Sequence, residues 1–222
     1  SIAADLAYPS ESTCFRETVN SVHSTASIAS VDTTKISAPN KRYRHVNGPN
    51  IKYTPMLLDG LKERGIKATF FLIGANTEQE ESKKIVKRMY EEGHLIGNHT
   101  YRHVDLSKIS GREAEKEIKT TDEAIKKITG HETEFIRPPF GAMPEGEEDP
   151  DKIYVKWTVD SLDWVTKDTE KIVEKVTADT KEGDVILMHD CYGESVEAAL
   201  QIVDIMEKQG YEFVTADELI IN

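Results

Sequence analysis

The sequence Ala68-Thr69-Phe70-Phe71-Leu72-Ile73 is a continuous apolar run that ends at Gly74. A short run of this kind, rich in aromatic and β-branched residues, is typical of a strand that is buried on both faces. A helix is predicted before it, starting at Thr54 with a proline in the first turn and ending near Gly65. Another helix is predicted after it, at about residues 80–92. A buried strand between two helices is the repeating unit of a parallel sheet.

The alternation of strand and helix continues to the C-terminus. Further strands are predicted at residues 94–97, 134–137, 154–159, 184–188 and 213–214. Helices are predicted around residues 114–128, 169–180 and 196–206. This pattern predicts an α/β protein with parallel strands and crossover helices, either a barrel or an open sheet. No Gly-x-Gly-x-x-Gly or P-loop follows a strand, which weakens a nucleotide-binding open sheet, and we favour a barrel.

The first part of the chain differs from the rest. Serine and threonine are frequent and apolar periodicity is weak, although a short strand is predicted around residues 26–31. We therefore divide the chain into an atypical, loosely ordered segment, residues 1–47, and a barrel domain, residues 48–222.

Composition excludes several classes of partner. The 222 residues carry a formal net charge of −12, which argues against nucleic acid or an anionic membrane. No run of about 18 apolar residues is present, so no transmembrane segment is expected, and no basic-then-apolar leader opens the chain. Cys14 and Cys191 are too few for a disulfide scaffold, and whether they pair is open.

Polar residues follow four of the predicted strands. His99 and His103 are spaced i and i+4, so on a helical turn they would share one face and reach one metal ion. The other strand ends are followed by Arg137, by Asp160 and Asp163, and by His189 and Asp190. The carboxyl ends of parallel barrel strands open at one mouth, where active sites are built.

These groups suit metal-assisted hydrolysis. A metal ion polarises a carbonyl and lowers the pKa of bound water, while His189 can protonate the leaving group with Asp163 orienting its ring. Each residue also has a structural reading: a satisfied strand-end histidine, a helix N-cap aspartate, or a structural ion pair at Arg137. Their joint occurrence at strand ends favours the functional reading.

From about Gly48 to the C-terminus the chain resembles the polysaccharide deacetylase family, which contains the NodB homology domain and forms carbohydrate esterase family 4. The resemblance lies in His99-Thr100-Tyr101-Arg102-His103, Arg137-Pro138-Pro139-Phe140-Gly141, Asp160-Ser161-Leu162-Asp163-Trp164 and Leu187-Met188-His189. It implies a distorted (β/α) barrel that hydrolyses acetyl groups on N-acetylated sugars, or on O-acetylated xylan. It also implies a divalent metal, zinc first and cobalt second. The implied partner is an acetylated polysaccharide (peptidoglycan, chitin or xylan), met outside the cell or at its surface.

The same resemblance implies roles for individual residues. His99 and His103 would bind the metal, and His189 would be the general acid, paired with Asp163. The Phe140 backbone amide would help to hold the oxyanion. Leu187 and Trp164 would border the acetyl pocket, and Arg137 would pair with the catalytic base.

One family motif departs from its pattern. Gly48-Pro49 is in place, but Val46 and Asn47 precede it where the resemblance implies two aspartates, the general base and a metal ligand. Valine cannot accept a proton, and the Asn47 amide is a weaker ligand than a carboxylate, so we expect impaired activity. Three explanations are open. The residues before Gly48 do not represent a functional ancestral sequence, or the protein is a pseudoenzyme that still binds glycans. In the third, another residue such as His45 or Asp32 takes over the role of the missing aspartates.

Overall fold

The structure, a computed structural model, describes residues 24–30, 49–142 and 149–221. Its strands are β1 Ser24–Ser30, β2 Thr69–Leu72, β3 Leu95–Asn98, β4 Phe135–Ile136, β5 Ile153–Tyr154, β6 Val159–Asp160, β7 Val185–Met188 and β8 Tyr211–Phe213. Its α-helices are α1 Thr54–Glu63, α2 Glu80–Glu91, α3 Gly111–Thr129, α4 Asp163–Thr166, α5 Thr169–Asp179, α6 Gly193–Lys208 and α7 Ala216–Ile221. Among these helices none combines the length and apolar character needed to cross a bilayer.

The strands form one parallel sheet in the described residues, in the order β5-β4-β3-β2-β1-β7-β6, with β8 paired to β1. Long helices cross between neighbouring strands, which is the connection that parallel pairing requires. Proline opens α1, a capping box at Ser110 opens α3, and Gly130 ends α3 in the left-handed conformation. The fold is the predicted distorted (β/α) barrel.

Strand β1 lies at the centre of the sheet. Its residues pair with β2 on one side and with β7 on the other, and its first half pairs with β8. This strand, predicted around residues 26–31, belongs to the segment that composition sets apart. The rest of that segment lies outside the described residues, so the division at residue 48 stays a prediction.

The single strand predicted at residues 154–159 is wrong. The structure has two short strands there, β5 and β6, at opposite edges of the sheet. Between them the carbonyl groups of Val155 and Lys156 accept hydrogen bonds from the Arg137 guanidinium at 3.3 and 3.4 Å, and a strand does not continue through them. A buried charged side chain thus binds the backbone at the point where the predicted strand is broken. The short helices α4 and α7 were also not predicted.

Each strand has one face toward the helices and one toward the barrel interior. Phe70, Leu72, Ile96 and Met188 belong to the large cluster packed against α1, α2 and α6. Phe71 and Phe135 form a separate inner cluster, with Leu95 and Val185 packed against it. Successive strand residues point to opposite faces, so this division determines which side chains reach the interior beyond each strand end.

Candidate active site

The inner face of the barrel carries the candidate site residues at its carboxyl end. Every second residue of a strand lies on the same face. His99 therefore lies on the face of Leu95, Arg137 on that of Phe135, and Leu187 and His189 on that of Val185. All four of these site residues are buried, with His99 and Arg137 at 0 % exposure. Strand periodicity therefore brings residues from three different strands toward one region.

His99 and His103 lie side by side after β3. Their ring centroids are 4.8 Å apart and the rings are roughly perpendicular, at 68°. Residues 99–103 form an irregular loop and not a helical turn, and His103 has φ of 56°. The loop brings the two imidazoles together by backbone geometry that the i, i+4 spacing does not describe.

The hydrogen bond to one ring nitrogen of His99 identifies the tautomer of its imidazole. Its Nδ1 lies 2.5 Å from the carbonyl oxygen of Arg137. A carbonyl can only accept, so Nδ1 carries the hydrogen and donates it, and Nε2 is the nitrogen suited to a metal. This arrangement, in which a backbone carbonyl fixes the tautomer, is the usual support of a metal-binding histidine.

Arg137 is fully buried beneath the site. Its guanidinium lies 4.4 Å from the ring centre of Phe71 and 5.8 Å from that of Trp157, over the ring faces. It also donates to the two carbonyls between β5 and β6 described above. A buried positive charge held by aromatic faces and carbonyls adds a fixed positive potential to the interior of the barrel.

Phe140 borders the histidine pair. Its ring lies edge-on to His103 with centroids 5.1 Å apart, and its side chain is 43 % exposed. Its backbone is left-handed, with φ of 60°, inside the short turn Pro139–Gly141. Such a backbone is disfavoured for phenylalanine, and residues of this kind concentrate at functional sites.

The second group of contacts joins Asp163 and His189. One Asp163 oxygen, Oδ1, lies 2.5 Å from His189 Nδ1 and accepts the Trp164 amide at 2.9 Å. The other, Oδ2, accepts the His189 amide at 2.8 Å. Both side chains are almost fully buried. The carboxylate thus holds the imidazole with Nδ1 protonated, leaving Nε2 to exchange a proton.

The charge state of Asp163 follows from these contacts. Burial opposes ionisation, but the positive potential of His189 and the hydrogen bonds from its ring and amide outweigh it and hold the pKa of Asp163 below the ordinary value. An ionised Asp163 in turn stabilises the imidazolium form of His189.

The remaining predicted residues lie at the edges of this arrangement. Leu187 is buried on the inner face of β7, and Trp164 is half-buried in the first turn of α4. Asp160 accepts the Leu162 amide at 2.9 Å. Asp190 was expected at the mouth, but it points to the helix side, where the Thr54 hydroxyl donates to it. Residues 189 and 190 are consecutive after a strand, so only one of them can face the interior.

The histidine pair supplies two of the donors that a metal site needs. In the described ranges no group of three or more His, Cys, Asp or Glu side chains is placed to hold an ion. The histidine pair fits two positions of a tetrahedral site, with the His99 tautomer as its support. The structure does not describe the residues at which the chain departs from the family motif, Val46 and Asn47, or the candidate replacement His45. Within the described residues Cys191 is a buried free thiol, and because Cys14 lies outside them the pairing of the two cysteines stays open.

Sequence reasoning missed the residues that support the histidine loop. The Asn98 side chain bonds to α3, and Glu117 on α3 bonds to Arg102. A signal was present: Glu117 and Asp122 fall on the apolar face of α3, beside Ala114, Ile118 and Ile125. Carboxylates at buried helix positions need partners, and here the partners are the loop itself and its neighbours.

Comparison with known proteins gives a consistent family. A family described as polysaccharide deacetylase matches residues 47–149. A peptidoglycan-N-acetylglucosamine deacetylase of Bacillus cereus is 38 % identical over 177 residues, covering 76 % of this chain and 64 % of that protein. The Listeria monocytogenes peptidoglycan-N-acetylglucosamine deacetylase PgdA is 36 % identical over 78 % of this chain, but only 37 % of its own length is covered. The chain thus spans less than two thirds of the length of these two relatives.

A solved structure extends the likeness to three dimensions. The peptidoglycan deacetylase PdaC from Bacillus subtilis superposes with a TM-score of 0.77 at 31 % identity. The match covers 89 % of this chain and 90 % of that one.

Proposed function

The chain belongs to the polysaccharide deacetylase family, and on that premise we propose that it is a metal-dependent hydrolase that removes acetyl groups from N-acetylated polysaccharide. Peptidoglycan is the first candidate substrate, because the relatives are named for it. Chitin and O-acetylated xylan are the alternatives. The observation that carries the proposal is the occurrence, at the carboxyl ends of the strands, of a histidine couple after β3 together with a buried dyad of Asp163 and His189, which follow β6 and β7.

His99 and His103 are the residues that would hold the ion, most suitably zinc, with cobalt as an alternative. A divalent ion held there supplies Lewis acidity, which polarises the acetyl carbonyl and acidifies the attacking water. The Arg137 carbonyl supports His99, and the buried guanidinium of Arg137 adds positive potential to the interior of the barrel.

His189 acts as the general acid in this proposal. When the bond between the acetyl carbon and the sugar nitrogen breaks, Nε2 of His189 gives its proton to that nitrogen, and the acetyl group leaves as acetate with an oxygen from water. Asp163 keeps Nδ1 protonated and balances the imidazolium charge. The nearby groups serve the acetyl group: the Phe140 amide faces the oxyanion, and Leu187 and Trp164 border the acetyl pocket.

The base is the open part of the scheme. The position that the family resemblance assigns to it is Val46, and the third metal ligand falls on Asn47. This observation favours a second candidate function: a pseudoenzyme on the same fold that binds glycan without turnover. The two functions differ in acetate release and in their dependence on metal.

The deciding experiment measures acetate released from N-acetylglucosamine oligomers and from peptidoglycan, with added zinc or cobalt and with a chelator. Release that the chelator abolishes supports the hydrolase. Glycan binding without release, unaffected by the chelator, supports the pseudoenzyme. A polysaccharide such as peptidoglycan lies outside the cell or at its surface, so we expect the protein to work there. Fractionation of the native host checks this location.

Restoring the two acidic residues tests the reading of the first motif. We expect Val46→Asp with Asn47→Asp to raise acetate release at least about tenfold, since the double variant supplies a proton acceptor and a stronger metal ligand. The matched control is Val46→Ala with Asn47→Ala. A folded Asp-Asp variant with no gain over the parent would show that these positions are not the base and the ligand.

A further inference from the structure

The histidine loop, residues 99–103, is tied to helix α3 by Asn98, the last residue of β3. The Asn98 amide donates to the Ile118 carbonyl and to Asp122 Oδ1, each at 2.8 Å. The Asn98 side-chain oxygen accepts the Thr100 amide, also at 2.8 Å. One side chain next to His99 therefore fixes the start of the loop and anchors it to the helix.

Glu117 anchors the other end of the same loop. Its side chain is only 5 % exposed, and both of its oxygens face Arg102. Oε2 accepts the Arg102 backbone amide at 2.8 Å, and Oε1 accepts the guanidinium Nε and Nη2 at 2.7 Å each. The residue directly before His103 is thus held by its backbone and by its side chain at once.

The middle of the loop is held by the turn after β2. The amides of Gly74 and Ala75 donate to the carbonyls of Thr100 and Tyr101, each at 3.0 Å. The approach is close enough that a side chain at Gly74 would meet Tyr101 Cδ2 at 2.6 Å and Thr121 Oγ1 at 2.7 Å. Nearly every residue of the loop has a fixed partner.

The anchored loop contains two residues whose backbone conformation is unfavourable. Thr100 and His103 have φ of 64° and 56°, in the left-handed region that is unfavourable for residues other than glycine. Residues keep this conformation only where their surroundings hold them, and His103 owes its ring position to it. The hydrogen bond to the Arg102 amide is the last restraint before that residue.

We infer that Glu117 is a positioning residue of the metal site: its carboxylate fixes the Arg102 backbone and thereby aims the His103 imidazole at the ion. An apolar side chain would fill the same place on α3 without the cost of burying a charge, so the carboxylate serves the loop and not the packing. This inference rests on the proposed metal site at His99 and His103.

The test measures Co²⁺ affinity of the full chain by visible absorption and by calorimetry, at a temperature where circular dichroism shows every variant folded. Glu117→Gln and the similarly sized apolar Glu117→Met should bind Co²⁺ about ten- to a hundredfold more weakly than the parent. Glu117→Met should keep or raise the melting temperature of the metal-free protein, which separates positioning from packing. Glu115→Gln, at an exposed position of the same helix, should behave as the parent.

The outcomes distinguish this inference from the proposed function. If Glu117→Gln and Glu117→Met both bind Co²⁺ as tightly as the parent, the proposed role of Glu117 is overturned and the metal site is retained. The inference is also overturned if affinity falls only in step with melting temperature across the variants. A parent that binds no Co²⁺, or whose binding survives His103→Ala, overturns the metal site and this inference with it.

Discussion

At the scale of single residues, the site is marked by backbone conformations that the side chains do not favour. Thr100, His103, Phe140 and Leu162 all have positive φ, and they lie in the loops after β3, β4 and β6. Each such residue costs about 1–3 kcal/mol, so their concentration at one end of the barrel is a property of the site and not of the fold.

The dyad makes the sharpest prediction at this scale. Asp163→Asn should lower the rate of acetate release about 10²- to 10⁴-fold, because the amide no longer fixes the His189 tautomer or balances the imidazolium charge. Steady-state rates of the metal-loaded protein measure this. Glu174→Gln, an exposed carboxylate on α5, is the control and should keep the parent rate. An Asp163→Asn variant with parental turnover would remove His189 from the proposed mechanism.

His94 makes a prediction about stability. It lies directly before β3 and is 5 % exposed; its Nδ1 accepts the Ala68 amide at 3.1 Å, and its ring contacts Phe70 edge-on. Burial, with a smaller contribution from the charge of Lys67, lowers its pKa from 6.5 to about 4. The unfolded chain therefore binds more protons than the native one between these two values, and stability rises with pH there.

The free energy of unfolding should thus lose about 3 kcal/mol through His94 as the pH falls from 6.5 to 4. His94→Asn, whose side-chain oxygen can accept the Ala68 amide, should lack this loss. Urea unfolding of both proteins at pH 7.5 and 4.5 measures the difference between them. Equal losses in the two proteins would show that His94 does not titrate abnormally.

At the scale of elements, Asp190 joins the end of β7 to the start of α1. Its Oδ2 accepts the Thr54 hydroxyl, which itself accepts the Asn50 amide at 2.7 Å. Its Oδ1 is buried and has no hydrogen-bond partner in the part of the chain that the structure describes. Burial raises the pKa of Asp190 from 3.8 to about 6, against the lowering effects of Thr54 and His189.

The pH dependence of stability that Asp190 produces has the opposite sign to that produced by His94. The native chain holds the Asp190 proton where the unfolded chain has lost it, so stability is full below pH 3.8 and falls as the pH rises through 6. Asp190→Asn removes the titration, and its stability relative to the parent should grow by about 3 kcal/mol between pH 4 and 7. Urea unfolding at both pH values checks it; a constant difference would contradict the raised pKa. The two sites lie at opposite ends of their strands, so we expect their effects to add.

At the scale of the whole molecule, metal binding should be visible as stability. An ion that binds only the native chain adds about 2.7 kcal/mol at a hundred times its dissociation constant, which is about 5–10 °C in melting temperature for a chain of this size. Thermal melts with zinc and with a chelator measure this shift. His103→Ala should abolish it, and His131→Ala, an exposed histidine on the surface, should keep it. A shift that survives His103→Ala would place the ion elsewhere.

Much of this architecture could be read from local sequence pattern. The runs at β2, β3 and β7 and the amphipathic helices α1, α2, α3, α5 and α6 were predicted close to their observed bounds. Apolar period and helix-ending glycines are properties of neighbouring residues, so no distant contact is needed to recognise them. The strand ends that carry His99, Arg137 and His189 followed from the same pattern.

The sequence by itself thus determined the α/β class with parallel strands, favoured a barrel over an open sheet, and supplied the residues from which a site could be built. Only the tertiary structure decided that the histidine pair lies on a loop, that Asp190 faces the helices, and that the 154–159 run breaks into two strands. It also showed that Glu117 and Asn98 hold the loop. The reason is physical: these outcomes depend on hydrogen bonds and charges between residues far apart in the chain, whereas strand and helix patterns depend on near neighbours.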